Sequence, residues 1–282
     1  MNCAWSSLIK LLPERYKYEV DKHRNDGLQE IRFRESLKPT LVFQDHCSCL
    51  QTIVTVEDLR KIINYACQYS PWAAETISSG YITAPGGHRV GVFGRFSSHN
   101  DRGWVLQTPL MLNLRVCCDF PGIATEMKNI GGSILIIGPP GCGKTTLLRD
   151  FVRQRSGLQK GSISVVDERE EVFPRSADSF CFYVGDNIDV LSGCTKKDGI
   201  NWALRNMTPA TIALDEITEE DDCDALIHAA WCGVNLIATA HAGNQKDLLS
   251  RPIYKEIMQA KIFNTLIILE KDKRWRVERI PT

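Results

Sequence analysis

The chain has no excess charge of either sign: 34 lysines and arginines balance 34 aspartates and glutamates over 282 residues. Cutting it near residue 130 uncovers no hidden imbalance. A dedicated nucleic-acid binder usually carries a basic excess, so none is expected as a partner. Long hydrophobic runs are also missing. The longest uncharged apolar stretch begins at Gly131, contains glycine and proline, and stops at Lys144. That is far short of the ~20 residues a membrane-spanning helix needs. Met1–Lys10 lacks a basic stretch followed by an apolar one, so no secretory signal peptide is expected. There are eleven cysteines but no C-x-x-C pair: Cys47 and Cys49 form C-x-C, Cys117 and Cys118 are adjacent, and the rest are scattered. A structural zinc site is therefore not expected. An odd count in a chain too large to need staples points to free thiols in a reducing compartment. The expected location is cytoplasmic, with room for peripheral attachment to a membrane complex.

What is present is ordinary globular composition, 43% hydrophobic and 24% charged, enough for roughly two domains. Residues 1–120 read as an α+β domain. Leu8, Ile9, Leu11 and Leu12 suggest a short helix ended near Pro13. Gln29–Phe33 and Thr40–Phe43 read as strands. Thr55 is placed to cap a helix, with Asp58 at its third position and Leu59, Ile62, Ile63, Ala66 and Cys67 at helical spacing. Gly80–Arg95 reads as a hairpin turning at Pro85, Gly86 and Gly87, and a further strand is expected around Trp104–Leu106.

Residues 121–282 change pattern. Apolar runs at Ser133–Gly138, Ser162–Glu168, Thr211–Glu216, Val234–His241, Thr265–Glu270 and Trp275–Ile280 alternate with helical stretches near 144–154, 196–207 and 219–232. Continuous apolar strands between helices imply a buried, mostly parallel sheet.

The strongest motif is Gly138, Pro139, Pro140, Gly141, Cys142, Gly143, Lys144, Thr145 and Thr146, which fits G-x-x-x-x-G-K-[ST] throughout. It follows a strand and opens a helix, the context a phosphate-binding loop requires. Glycines let backbone N–H groups turn inward around a phosphate, and the helix N-terminus adds partial positive charge. Lys144 would reach the β- and γ-phosphates of ATP, and the Thr145 hydroxyl would bind Mg²⁺.

Three strand ends supply further chemistry. Asp215 and Glu216 follow the apolar run Thr211–Leu214; Asp215 would hold Mg²⁺ through water and Glu216 could polarise the attacking water. Asp167, Glu168, Arg169, Glu170 and Glu171 end the strand after the P-loop helix. Glu168 is a rival for the base, with Arg169 as its charge partner. Thr239 and His241 end a third strand and are placed as γ-phosphate sensors.

These stations resemble the Walker A, Asp box, Walker B and His box of secretion ATPases, in that order. The chain is similar in more detail to the family of stage III sporulation protein AA of endospore-forming bacteria. The residues carrying this are Glu30–Arg34, Gly80–Thr83, Gly86–Gly94, Asn113–Arg115, Asp167–Arg169 with Glu171, and Arg205, Met207, Pro209 and Asp215–Ile217. The resemblance runs from about residue 8 to 270. Glu170 stands where that family often has Gly or Ser, and Ala242, Gly243 and Asn244 depart from its pattern. The resemblance implies a RecA-like P-loop NTPase core with a smaller α+β N-terminal domain. It further implies self-assembly as a ring, a hexamer by analogy, that powers channel subunits of a secretion-like complex from the mother-cell side. It also makes Arg32, Arg34, Arg89 and Arg95 candidates to meet a γ-phosphate. Two other classes remain open: a nucleic-acid-dependent ATPase, for which the Lys271–Arg279 basic cluster is the one local feature, and a P-loop kinase.

Overall fold

Alternation of apolar and polar residues fixes one face of the N-terminal sheet inward. The computed structural model describes residues 2–67, 80–99, 103–158, 160–176 and 179–280. Strands β1 (Glu30–Arg34), β2 (Thr40–Val42), β3 (Cys47–Cys49), β4 (Tyr81–Ala84), β5 (His88–His99) and β6 (Gly103–Arg115) are the six of this sheet among the described residues, in the order β3-β2-β1-β6-β5-β4 and antiparallel throughout. Ile31, Phe33, Leu41, Val90, Val92, Leu112 and Leu114 point inward. Helices α1 (Trp5–Lys10), α2 (Glu14–Asp21) and α3 (Val56–Cys67) close over them with Leu8, Tyr16, Val20, Leu59 and Ile62. Thr55 caps α3 as the spacing predicts: its hydroxyl accepts the Asp58 N–H at 3.3 Å, while Asp58 accepts the Thr55 N–H at 2.8 Å.

This first compact unit comprises Met1–Asp119 together with Pro174–Cys181. A cut near residue 120 leaves 174–181 with the second part of the chain; in the structure that short stretch groups with the first. Its paired segments Arg175–Ser176 and Ser179–Phe180 are too short to leave a periodic signature.

The second unit, Phe120–Phe173 with Phe182–Thr282, is built on strands β7 (Ile134–Gly138), β8 (Ile163–Asp167), β9 (Ile188–Ser192), β10 (Thr211–Leu214), β11 (Asn235–His241), β12 (Thr265–Leu269) and β13 (Trp275–Arg279). Among the described residues they form a seven-stranded sheet in the order β9-β8-β10-β11-β7-β12-β13, parallel except for β13. Helices α4 (Lys144–Ser156), α5 (Lys196–Asn206), α6 (Glu220–Trp231), α7 (Gln245–Ser250) and α8 (Pro252–Gln259) accompany it. The strands β7, β8, β10 and β12 are buried along their whole length, which is why they read as unbroken apolar runs. Asp150 on α4 accepts the N–H groups of Gly122 and Ala124 at 3.0 and 2.9 Å, anchoring the start of this unit to its first helix.

No helix among the described residues is long and apolar enough to cross a membrane. In the first unit His88 is buried and fully bonded. Its Nδ1 accepts the Cys117 N–H at 3.1 Å, so its proton sits on Nε2 and is donated to the Ala4 carbonyl at 3.1 Å. Burial pushes its pKa down to about 4, against the pull of the Ala4 bond. A folded-state value below the unfolded one means stability is complete above pH 6.5 and is lost as pH falls towards 4. Urea melts of wild type and His88→Gln should therefore converge as pH drops from 7.5 to 4, the wild type losing about 3 kcal/mol relative to the variant. A constant difference across that range would show that His88 does not titrate in this way.

Candidate active site

The phosphate loop begins where β7 ends. A Cβ at Gly138 would lie 2.5 Å from the Leu269 carbonyl and 2.6 Å from Cys142 Sγ, so only glycine fits beneath the loop. Gly141 and Gly143 take the left-handed backbone, at φ 74° and 101°, turning the chain so that α4 starts at Lys144. Pro139 and Pro140 form the loop's outer limb. The Cys142 side chain is buried, so that residue offers a ligand its backbone rather than its thiol. Thr146 follows in the first turn of α4. Lys144 is buried too. Its ammonium donates to the carbonyls of Gly138 at 3.0 Å and Pro139 at 3.2 Å and lies 2.8 Å from His241 Nδ1. Burial pushes this ammonium below its usual range, while Asp215 and Glu216 pull it back up.

Strand β11 lies between β7 and β10, with His241 in register with Gly138 and Ala238 with Leu214. That placement assembles the site. Thr145 donates to one oxygen of Asp215 at 2.5 Å, and Thr239 donates to the other at 2.6 Å. The same Thr239 hydroxyl accepts the Glu216 N–H at 2.8 Å. Glu216 holds a left-handed backbone, φ 45°, and its carboxylate sits 3.0 Å from His241 Nε2. With Nδ1 accepting from Lys144, the imidazole carries its proton on Nε2 and donates it to Glu216. Lys144, His241 and Glu216 thus form one hydrogen-bonded chain.

A hydroxyl and a carboxylate are hard oxygen donors of the kind Mg²⁺ takes, with phosphate and water oxygens completing its shell. Thr145 and Asp215 fit that pattern. Among the described residues no group of three or more His, Cys, Asp and Glu is arranged to hold a metal by itself, which a site completed by a nucleotide does not require.

The second acidic strand end divides its work. Asp167 is buried and accepts the N–H groups of Glu171, Val172 and Phe173, the last at 2.7 Å. Burial pushes its pKa up to about 6 despite those bonds. Arg149 on α4 binds the Glu171 carbonyl at 2.9 Å and the Val172 carbonyl, so the loop is pinned from both sides. Glu170 sits in this turn at φ 53°, a conformation glycine adopts without cost. Arg169 is exposed and is not the partner of Glu168 expected from the sequence. The partner is Lys196, at 3.0 Å, 28 residues away on α5. Burial alone would lower the Lys196 ammonium, but the Glu168 bond and the charges of Asp222 and Glu168 hold it above its usual range. Val166, Asp167, Glu168, Arg169, Glu171, Lys196, Asp215 and Glu216 line one cavity.

Lys196 is the residue sequence reading missed. One signal was available: a lysine in the first turn of a helix opposes the helix dipole. The departure at Asn244 is local, its side chain accepting the Asp247 N–H at 2.9 Å to cap α7. In the first unit Arg32, Arg34, Arg89 and Arg115 share the outer face of the sheet, and Arg95 is exposed farther along β5. Glu30 pairs with Arg32 and Arg115, and Arg89 stacks over Tyr81 at 3.9 Å.

The family model described as sporulation stage III, protein AA, matches residues 7–280. Stage III sporulation protein AA of Bacillus subtilis (strain 168) is 32% identical over 281 residues, covering 95% of this chain and 92% of that protein. Among solved structures, the ATPase DotB of Yersinia pseudotuberculosis aligns with a TM-score of 0.63 at 14% identity, covering 96% of this chain and 80% of that one. The pilus retraction motor PilT with bound ADP aligns with a TM-score of 0.63 at 15% identity, covering 94% and 82%. These likenesses show a common fold, a RecA-like P-loop core with a smaller α+β N-terminal part. A P-loop strand separated by one strand from the Asp215 strand, and a family match over nearly its whole length, lead to one conclusion: the chain belongs to the sporulation stage III protein AA family.

Proposed function

We propose that this protein is a Mg²⁺-dependent ATPase, the motor of a secretion-like complex. One observation carries the reading: the P-loop Thr145 meets Asp215 at 2.5 Å while Lys144, His241 and Glu216 form a continuous hydrogen-bonded chain beside them. Inward-turned loop N–H groups and Lys144 bind the triphosphate, and Thr145 and Asp215 hold the Mg²⁺. That ion, when bound, supplies charge neutralisation at the phosphates.

Glu216 is the better-placed base. Among the described residues its carboxylate meets His241 through one oxygen, at 3.0 Å, which leaves the second oxygen for a water molecule. Glu168 is committed to Lys196. His241 reads whether Lys144 is engaged by carbonyls or by phosphate, because its Nδ1 acceptor is shared with that ammonium. Fold-level analogy to an ADP-bound pilus retraction motor agrees with this reading but is analogy only. In the same proposal the chain is cytoplasmic, assembles as a ring that includes further copies of itself, and docks on membrane channel subunits from the mother-cell side. The division into an N-terminal domain to about residue 120 and a motor domain beyond it belongs to the same reading.

Lys144→Ala should abolish ATP turnover and weaken nucleotide binding. Glu216→Gln should lower kcat by about 10²–10⁴-fold with binding retained, and by more than Glu168→Gln does. Normal turnover in both glutamine variants would refute the hydrolytic mechanism. Thr239→Val removes a hydroxyl that serves Asp215 and Glu216 at once, so turnover should fall and thermal unfolding should report about 1–3 kcal/mol of lost stability. Wild-type kinetics in that variant would show the bridge to be idle. Release of inorganic phosphate without an added acceptor separates this reading from a kinase.

A further inference from the structure

Lys196 opens α5, capped by Thr195, whose hydroxyl accepts the Asp198 N–H at 3.2 Å. A cation there faces the positive end of the helix dipole, and its side chain is only 8% exposed. Such a group persists only when its protons find strong acceptors. All three do: Glu168 at 3.0 Å, the Thr218 hydroxyl at 3.2 Å and Asp222 at 3.3 Å. The Asp222 oxygen that takes this bond also accepts the N–H groups of Thr218 and Glu219, at 3.0 and 3.2 Å. One ammonium therefore ties together the exit of β8, the stretch two residues beyond Glu216, and the first turn of α6.

The consequence lies in the cavity that Glu168, Lys196, Asp215 and Glu216 share. Asp167, Glu168, Glu171, Asp215 and Glu216 all line it, with Arg169 as a second cation, and carboxylates around a polyphosphate site repel one another and the ligand. A buried cation bonded to one of them offsets that repulsion and fixes where its carboxylate points. The other two bonds hold the Glu216–Asp222 stretch, so that Glu216 stays at His241 in its left-handed turn.

We propose that Lys196 is a positioning residue for hydrolysis: its ammonium, bonded to Glu168, Thr218 and Asp222, clamps Glu168 as a neutralised bystander and braces the loop that presents Glu216 to the attacking water. This rests on the hydrolytic reading above. The step itself transfers a water proton to Glu216 as the water oxygen bonds to the terminal phosphorus and the bridging oxygen leaves with ADP. Lys196 touches none of these atoms.

The test compares the full-length wild type with Lys196→Met, Lys196→Arg, Glu168→Gln and the Met/Gln double variant. ATP turnover gives kcat and KM, ADP titration gives Kd, and thermal melts show that each variant is folded. Lys196→Met should lower kcat about 10-fold or more through lost orientation, with the ADP Kd within about threefold of wild type. Lys196→Arg should recover part of the loss. In the Met background Glu168→Gln should add less than about a further threefold, because the clamp is already gone. A lowered melting temperature with wild-type kcat at a temperature where the variant is folded would overturn the inference. So would a loss of ADP affinity matching the loss of kcat, or an Arg variant no better than Met. A wild-type chain that does not hydrolyse ATP refutes the hydrolytic reading, whereas a hydrolysing wild type matched by Lys196→Met refutes this inference alone.

Discussion

The site depends on one strand pairing. Strand β11 is hydrogen-bonded between β7 and β10, in a register that sets His241 beside Gly138 and Ala238 beside Leu214. Side chains on a strand alternate faces, so a slip of one residue would carry Thr239 and His241 to the wrong side of the sheet. With the register as found, Thr239 reaches both Asp215 and the Glu216 amide, and His241 spans Lys144 and Glu216. No residue of the P-loop touches Glu216 directly in this set. The strand between them makes the connection.

Two buried ammonium groups then balance the acids. Lys144 is satisfied by two loop carbonyls and a histidine, Lys196 by two carboxylates and a hydroxyl. Their difference is chemical. The partners of Lys144 are neutral groups that a phosphate can outcompete, whereas those of Lys196 include two anions that hold it in place. One lysine is held by groups it can exchange, and the other is fixed by charge.

Much of this was legible in the sequence because it is local. The run Gly138–Thr146 specifies its own turn, and the apolar strands of the second unit announced themselves by being buried on both faces. The helix opening at Lys144 and the capped helix at Thr55 were placed within a few residues. What escaped notice has a physical reason in each case. Helix α2 buries only Tyr16 and Val20, too few to show a period. Strand β9 is a five-residue edge strand with no fully buried residue. The partner of Glu168 lies 28 residues away at the start of helix α5, and a sequence offers only its neighbour Arg169. The left-handed turn at Glu216 is bonded by the Thr239 hydroxyl from the neighbouring strand, and nothing near Glu216 in the chain foretells it. Grouping of 174–181 with the first unit is likewise a matter of tertiary contact.

The glycine at the foot of the P-loop has a mechanical meaning. Gly138 ends a strand with parallel neighbours on both sides and a carbonyl and a sulfur packed where its side chain would be. The loop is thereby rooted in an interior strand bonded on both sides, with no room for a side chain beneath it. A side chain at this position would have to lift the loop off its strand or part β7 from β12, so the foot of the loop tolerates no substitution that the rest of the loop could absorb.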